Sequence, residues 1–166
     1  MKTIKNTIVP YSDDVHRDQV VTLWKSVFGY DAPHNEPNFV IEKKLAMSDG
    51  LFFVAEVGGK VVGTIMAGYD GHRGWIYSLA VQPECRMRGI GSQLVRQAEK
   101  ELYRLGCPKI NLQILQGNES VEAFYRKLGY QTEPRISMGK QIPKNMVTSH
   151  SDNVLFLTPR PQDPEG

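Results

Sequence analysis

The sequence lacks the features that mark several classes of protein. Only two of its 166 residues are cysteines, and Cys85 and Cys107 have neither the spacing of metal ligands nor the density of a disulfide scaffold. No apolar run approaches the roughly 18 residues that a membrane-spanning helix needs. The first residues contain no long apolar stretch and no small-residue cleavage site, so we expect no secretory signal and a cytoplasmic protein.

The sequence also lacks an excess of charge of either sign. Its 20 Lys and Arg residues against 18 Asp and Glu residues give a formal net charge of +2. Nucleic-acid-binding domains usually carry a basic excess, so we expect no nucleic acid as partner, and the lack of a long apolar run means that we expect no membrane partner either. The length suits one domain. We predict that this domain spans residues 1–142 and that a proline-punctuated, partly disordered tail spans 143–166, with one apolar segment at 154–157.

Apolar periodicity predicts an alternating order of strands and helices. Three consecutive strands, joined by the turn Gly58-Gly59 and by a turn over 70–74, predict an antiparallel meander. In chain order, the predicted elements are a strand over 3–10, a helix capped by Asp13 or Asp14 and ended by Gly29, a loop over 30–37, a shorter helix over 39–47, strands over 51–57, 61–67 and 75–81, a helix over 89–105, a strand over 110–114, a helix capped by Asn118 or Ser120, and short strands over 130–133 and 136–138.

The segment between the third strand of the meander and the long helix carries the strongest chemical signal. Two strands joined by a helix lie parallel, so the helix begins at the carboxyl end of the first strand, where open α/β sheets bind ligands. Residues 81–92 read Val-Gln-Pro-Glu-Cys-Arg-Met-Arg-Gly-Ile-Gly-Ser. Gly89 and Gly91 allow close approach to the backbone, while free N–H groups and the charges of Arg86 and Arg88 favour a phosphate or pyrophosphate.

Taken alone, two glycines at the start of a helix are a weak signal, because they can equally be packing glycines in an ordinary turn. The longer glycine spacing and the Lys-Ser/Thr pair of the Walker phosphate loop are absent. The dinucleotide fingerprint also fails, since Leu94 stands where its third small residue would be. The residues therefore indicate an anion site and leave packing glycines as the alternative.

Two motifs together resemble a known family. The pattern Val81-x-Pro-x-x-Arg86-x-x-Gly89-Ile90-Gly91-x-x-Leu94 resembles the acetyl-CoA pyrophosphate motif of the GNAT superfamily of N-acetyltransferases. Residues 118–130 resemble its second signature, N-x-x-A-x-x-F-Y-x-x-L-G-F/Y, with an alanine one place off. The resemblance covers about residues 3–141 and is greatest to small bacterial YpeA-like acetyltransferases. Met87 departs from the family, which often has Gly there, and Cys85 stands where an aromatic residue is common.

This resemblance implies a fold and an activity. The expected fold is α/β (α+β), with a mixed, mostly antiparallel central sheet and a β-α-β core that binds acetyl-CoA. The expected activity is transfer of the acetyl group from acetyl-CoA to a primary amine, on a small molecule or a protein, by direct attack in a ternary complex without a metal. Dimers are common in the superfamily, so a homodimer is possible.

The resemblance also implies roles for particular residues. Tyr125 is the expected general acid for the departing sulfur, with packing beside Phe124 as the alternative. Asn118 is expected to bond the amide arm of the cofactor, a role compatible with capping a helix. The expected cofactor-binding residues are Leu79, Ala80, Val81, Arg86, Met87, Arg88, Gly89, Ile90, Gly91, Ser92, Asn118 and Tyr125.

The general base and the acceptor are less defined. The strand over 75–81 begins Trp-Ile-Tyr, without the carboxylate that some members carry there. His72, in the preceding turn, has a suitable intrinsic pKa and is a possible base, with a water relay as the default. Trp24, Phe28, Tyr30 and His34 fall where this family walls its acceptor site, and core packing is the alternative for the first two.

Two functions from other classes stay open. A non-catalytic acyl-CoA binding or sensing domain would keep residues 86–92 and need no proton donor. A structural or interaction protein would be built around the apolar segment 154–157.

Overall fold

The computed structural model describes residues 5–29, 33–143 and 146. The chain divides into a compact unit, Met1–Gln131, and a second unit, Thr132–Gly166. All the strands and α-helices of the described residues lie in the first unit. In order they are β1 (Thr7–Pro10), α1 (Asp13–Phe28), α2 (Pro37–Ala46), β2 (Phe52–Val57), β3 (Lys60–Tyr69), β4 (Gly74–Val81), α3 (Ile90–Arg104), β5 (Ile110–Asn111) and α4 (Glu119–Lys127).

The five strands form one sheet in the order β1-β2-β3-β4-β5. The first four strands pair antiparallel, as short hairpin connections require, and β5 pairs parallel with β4 after the α3 crossover. The predicted mixed, mostly antiparallel sheet with a β-α-β core is therefore confirmed.

Helices cover both faces of this sheet, and a separate core fills each layer. One core joins α3 to side chains such as Phe53, Ile65 and Ile76. The other joins α1 and α2 to the opposite face, with Trp24, Phe52 and Met66 among its members. Because successive residues of a strand point to opposite faces, the central strands are apolar almost throughout. No helix among the described residues is long and apolar enough to cross a bilayer.

A β-bulge in β4 changes which of its side chains face each of the two cores. Thr64 pairs with Ala80 and Met66 pairs with Tyr77, so Ser78 and Leu79 together oppose Ile65 in a β-bulge. Ser78 adopts a φ of 53°, which is costly for a residue with a Cβ. The extra residue reverses the alternation of the strand, and Leu79 therefore packs on the α3 side while Ala80 is buried on the α1 side.

Several predicted elements differ from the structure. Residues 130–133 and 136–138 form no strand, and the sheet of the described residues consists of β1 to β5. Ile136 and Met138 are exposed at 91% and 92%. The strand over 110–114 shrinks to Ile110–Asn111, since only these residues pair with β4.

Smaller corrections concern the helix ends. Ser12 occupies the N-cap position of α1 without a side-chain capping hydrogen bond, and the predicted caps Asp13 and Asp14 lie in the first turn. The Asp13 carboxylate instead accepts hydrogen bonds from Tyr11 and Arg17. The predicted loop over 30–37 holds a short 3-10 turn, Pro33–Asn35. Residues 30–32 and 154–157 lie outside the described residues.

Glycine is required at the first residue of β4. A Cβ built on Gly74 would lie 2.7 Å from Cys107 Sγ and 3.1 Å from Leu102 Cδ1. We expect Gly74→Ala to lower the free energy of unfolding by about 1–3 kcal/mol because of this overpacking. Urea unfolding measures the loss, and Gly139→Ala, which places its Cβ in open space, is the control.

A double variant separates overpacking from a change in backbone preference. Removing the sulfur with Cys107→Ala in the Gly74→Ala background should restore part of the lost stability. Equal stability of Gly74→Ala and the wild type would contradict the crowding seen around residue 74.

Candidate functional site

Strand β4 loses its neighbour on one side shortly after it begins. Gly74 pairs with Ile110 and Trp75 with Asn111, and the pairing of β4 with β5 ends there. From Ile76 to Val81, this edge of β4 faces no strand among the described residues. An unpaired edge presents backbone N–H and C=O groups to any extended ligand that lies along it.

The register shows which backbone groups face this open edge. Gln82 donates its N–H to the carbonyl of Val62 on β3, with an N–O distance of 2.8 Å. Backbone groups of an antiparallel strand alternate between its two sides, so Ala80 also faces β3, whereas Leu79 and Val81 face the open edge. Of the three residues predicted to bind the cofactor through their backbone, only Leu79 and Val81 are thus oriented toward the opening.

The loop after β4 leads directly into free backbone donors. A 3-10 turn over Pro83–Cys85 follows the strand, and α3 begins at Ile90 with Gly89 as its N-cap. Among the described residues, no backbone carbonyl accepts a hydrogen bond from the amides of residues 87–92. These six amides, together with the helix dipole, can donate hydrogen bonds to an anion.

Left-handed backbone conformations shape this loop. Gly89 has a φ of 77° and Met87 a φ of 62°. The conformation suits glycine at position 89 and strains methionine at position 87, whose side chain is fully exposed. The left-handed backbone is the physical reason why glycine would suit position 87 better than methionine does. The backbone amide of Met87 remains available in this conformation.

Two arginines supply positive charge at the same place. The Arg86 Nε donates to the carbonyl of Val81 at 3.2 Å, which ties the loop to the end of β4. Its two terminal nitrogens form no hydrogen bond described in the structure. Arg88 is exposed beside the first turn of α3. Both side chains therefore add positive charge close to the N-terminus of α3, which favours a phosphate there.

Gly91 has a packing role. A Cβ built on this residue would lie 3.3 Å from the Phe124 ring and 3.8 Å from Val81 Cγ2. The glycine lets α4 approach the first turn of α3. The alternative interpretation, a packing glycine, thus holds for Gly91, while Gly89 is the residue that needs a left-handed backbone.

Tyr125 lies in the core layer formed by α3. Its ring makes edge contacts with Phe124 and Tyr130 at centroid distances of 5.0 and 5.5 Å. Tyr130 is fixed by its hydroxyl, which donates to Glu99 on α3 at 2.8 Å. Burial raises the pKa of the Tyr125 phenol to about 12, because an apolar environment disfavours phenolate. The phenol therefore keeps its proton throughout the physiological range.

Asn118 occupies the N-cap position of α4, but its side chain makes no capping hydrogen bond. Its side-chain oxygen accepts a hydrogen bond from the Ser120 hydroxyl at 3.3 Å. The Asn118 side chain is exposed and does not form the capping hydrogen bond that was predicted for it.

His72 lies far from these residues. It is exposed in the turn before β4, and the five residue steps from Gly74 to Leu79 span about 16 Å at about 3.3 Å per residue. Its backbone N–H donates to the Asp70 carboxylate at 2.7 Å. Hydrogen bonds from the backbone of Arg73 and His72 lower the pKa of Asp70, so this carboxylate shapes the turn and is a weakened base.

The aromatic residues near the predicted acceptor wall separate into two groups. Trp24 is buried in the core, whereas Phe28 and His34 are exposed, and Tyr30 lies outside the described residues. The Trp24 indole N–H donates to the Thr64 hydroxyl, which donates to the carbonyl of Ser78 in the bulge. Sequence reasoning missed Thr64 and the bulge, because no local pattern distinguishes a threonine in a continuous apolar strand.

Metal ligands do not gather at this site. The described residues contain no group of three or more His, Cys, Asp or Glu side chains that could hold a metal ion. The residues of the candidate site can supply backbone hydrogen bonds, the positive charge of arginine and a protonated phenol.

The model of the Acetyltransferase (GNAT) family matches residues 17–130. The chain is 45% identical over 125 residues to the acetyltransferase ECA0875 of Pectobacterium atrosepticum, covering 75% of this chain and 88% of that protein.

Solved structures share the fold at lower identity. The aminoglycoside acetyltransferase AAC(6')-Iy, solved with a CoA bisubstrate analogue, matches 84% of this chain and 99% of its own, with a TM-score of 0.67 and 16% identity. Glucosamine-6-phosphate N-acetyltransferase from Arabidopsis thaliana matches 84% of this chain and 99% of its own, with a TM-score of 0.63 and 21% identity. The family model over residues 17–130 and the 45% identical relative show that the chain belongs to the GNAT family of acetyltransferases.

Proposed function

We propose that this protein transfers the acetyl group of acetyl-CoA to a primary amine by direct attack in a ternary complex. The observation that carries the proposal is the continuity between the open edge of β4 and the free amides of residues 87–92. An extended chain bonded to that edge would end at those amides, which matches a cofactor with a linear arm and a pyrophosphate.

The pyrophosphate would lie at the start of α3. The amides of Met87, Arg88, Gly89, Ile90, Gly91 and Ser92 would donate hydrogen bonds to its oxygens. Arg86 and Arg88 would neutralise charge there, and the left-handed Gly89 would let the phosphate approach the backbone. Asn118 would bond an amide of the pantetheine arm.

The thioester would lie beside Leu79 and Val81. A backbone N–H donating to the thioester oxygen stabilises the negative charge that develops there during attack. The nitrogen–carbon bond forms, the carbon–sulfur bond breaks, and the sulfur leaves with the bonding electron pair. The amine loses one proton, and the sulfur gains one.

Tyr125 would supply the hydrogen bond to the departing sulfur. Its phenol is protonated because its pKa is about 12. A raised pKa also makes the phenol a weaker acid than a free tyrosine. Complete transfer of its proton to a thiolate is therefore unfavourable when the pKa of the corresponding thiol is lower. We therefore assign Tyr125 the role of hydrogen-bonding the thiolate as it forms, with the proton following as charge accumulates.

The proton of the amine would pass to water. Strand β4 carries no carboxylate, and the distance along β4 between His72 and Leu79 favours water over His72 as the base. The acceptor class remains a primary amine on a small molecule or a protein. The amino sugar and aminoglycoside enzymes among the structural neighbours make such amines suitable first compounds for a screen.

A non-catalytic acyl-CoA sensor is the second candidate. The absence of a carboxylate from β4 favours it, because a sensor needs no route for the proton of an amine. Thiol release with a broad amine panel separates the two functions, since a sensor would bind CoA and release none. The cytoplasmic location and the homodimer stay predictions.

Arg88 tests the cofactor site. We expect Arg88→Gln to raise the Kd for CoA about threefold to tenfold in low salt, because one charge-assisted hydrogen bond to phosphate is lost. The difference should shrink at high ionic strength, where the contribution of charge is screened. Titration calorimetry at two salt concentrations measures both effects.

Arg96→Gln, a matched change on the exposed side of α3, should leave the Kd unchanged. Equal effects at positions 88 and 96 would argue against a phosphate at the helix start. Absence of CoA binding by the wild type would exclude the acetyltransferase and the sensor together.

Tyr125 tests the chemical step. Loss of its hydroxyl in Tyr125→Phe should lower kcat about 10²-fold with little change in CoA affinity, because the departing sulfur loses its proton donor. Steady-state thiol release measures kcat, and Tyr103→Phe, at an exposed position of α3, is the control. Unchanged turnover in Tyr125→Phe would reduce Tyr125 to a packing residue.

A further inference from the structure

A buried hydrogen-bonded chain of three residues lies behind the bulge of β4. The Trp24 Nε1 donates to Thr64 Oγ1 at 2.8 Å, and Thr64 Oγ1 donates to the carbonyl oxygen of Ser78 at 2.9 Å. Indole N–H groups only donate and carbonyl oxygens only accept, so the single hydroxyl proton of Thr64 must point at Ser78. The orientation of this hydroxyl is therefore fixed by its two partners.

Complete burial strengthens this chain. Thr64 is 0% exposed and Trp24 is 3% exposed, so water does not compete for either hydrogen bond. The Trp24 ring is held in turn by Phe52, which stacks on it at a centroid distance of 5.9 Å. The carbonyl of Ser78 is thus attached to a rigid part of the core although its own backbone is strained, with a φ of 53°.

The direction of this carbonyl determines the direction of the next N–H. In a trans peptide, the C=O of one residue and the N–H of the following residue point in opposite directions. Because the Ser78 carbonyl points toward Thr64 on β3, the Leu79 N–H points away from β3, toward the open edge of β4. Residue 64 therefore controls a donor on the far side of the strand from its own side chain.

We infer that Thr64 is a positioning residue, which aims the Leu79 N–H at the thioester oxygen through its hydrogen bond to Ser78. The inference rests on the proposed function, since it assumes that a thioester lies beside Leu79. Thr64 touches no substrate, and its effect passes through one peptide unit. A hydroxyl at this position matters for the acetyl group and not for the rest of the cofactor.

The carbonyl stretching band of bound [1-13C]acetyl-CoA tests this role without an acceptor amine. A hydrogen bond to the thioester oxygen lowers the frequency of this band, and isotope-edited infrared difference spectra resolve it from the protein. We expect a downshift on binding to the wild type. The band should return most of the way to its free frequency in Thr64→Val, which has the same shape without a donor, and should stay downshifted in Thr64→Ser, which keeps the hydroxyl.

The affinities provide a second readout. Thr64→Val should bind CoA, which has no thioester carbonyl, as tightly as the wild type does. Once an acceptor is known, the kcat of Thr64→Val should be about tenfold or more below that of the wild type, because one oxyanion donor is weakened. The KM for acetyl-CoA should change little. Should Thr64→Val fail to fold, Thr64→Cys, with a weak donor of similar size, should give an intermediate band position.

Two controls separate positioning from stability. Thr22→Val makes the same change at an exposed position of α1, and Gly74→Ala strains β4 at its other end. Both should leave the band downshifted.

A band in Thr64→Val that is downshifted as far as in the wild type would overturn the role of Thr64. A wild type that binds acetyl-CoA without any downshift would overturn the placement of the thioester beside Leu79. A downshifted band without acetyl transfer to any amine would leave the positioning intact and contradict only the proposed enzymatic function.

Discussion

The structure depends on which partners the backbone N–H and C=O groups of β4 have on each side of the strand. On one side, β3 pairs with it along most of its length, and on the other side β5 accompanies it for only two residues. Buried backbone groups need partners, and a strand edge that faces neither a neighbour nor core is a site for an extended ligand. We propose that the loss of pairing after Trp75 makes this edge of β4 the surface that binds the cofactor.

The bulge makes this surface compatible with the two cores. A regular strand would place residues 76, 78 and 80 on one face, but the inserted residue puts Leu79 and Val81 on the face of Ile76. Ala80 can then fill the layer under α1, where it is buried. The same shift directs the backbone of Leu79 and Val81 to the open edge. Packing on both faces and hydrogen bonding at the edge are therefore set by one extra residue.

Much of the fold follows from local patterns in the sequence. The hairpin at Gly58-Gly59 and the amphipathic α3 are specified by neighbouring residues, and both were predicted close to their observed bounds. The wrong strands, over 130–133 and 136–138, share apolar alternation with real strands. Alternation describes what a strand could bury, whereas the existence of a strand depends on a distant partner.

The candidate site could be predicted where its features are local in the sequence. The glycine and arginine loop could be recognised because its backbone donors and charges are consecutive in the chain. Thr64 could not, because its role depends on contacts with Trp24, 40 residues before it, and with Ser78, 14 residues after it. The prediction of His72 as a base relied on closeness in sequence to β4, and the structure places this residue before the start of the strand, away from Leu79.

Backbone amide protection measures the central claim most directly, namely that the edge of β4 and the loop after it hold the cofactor together. Hydrogen exchange followed by NMR on the protein with and without CoA reports on each amide separately. The account predicts that the amides of Leu79, Val81 and residues 87–92 become protected on binding, while the Ala80 amide, already directed at β3, changes least. Protection confined to other parts of the chain, with these amides unchanged, would contradict it.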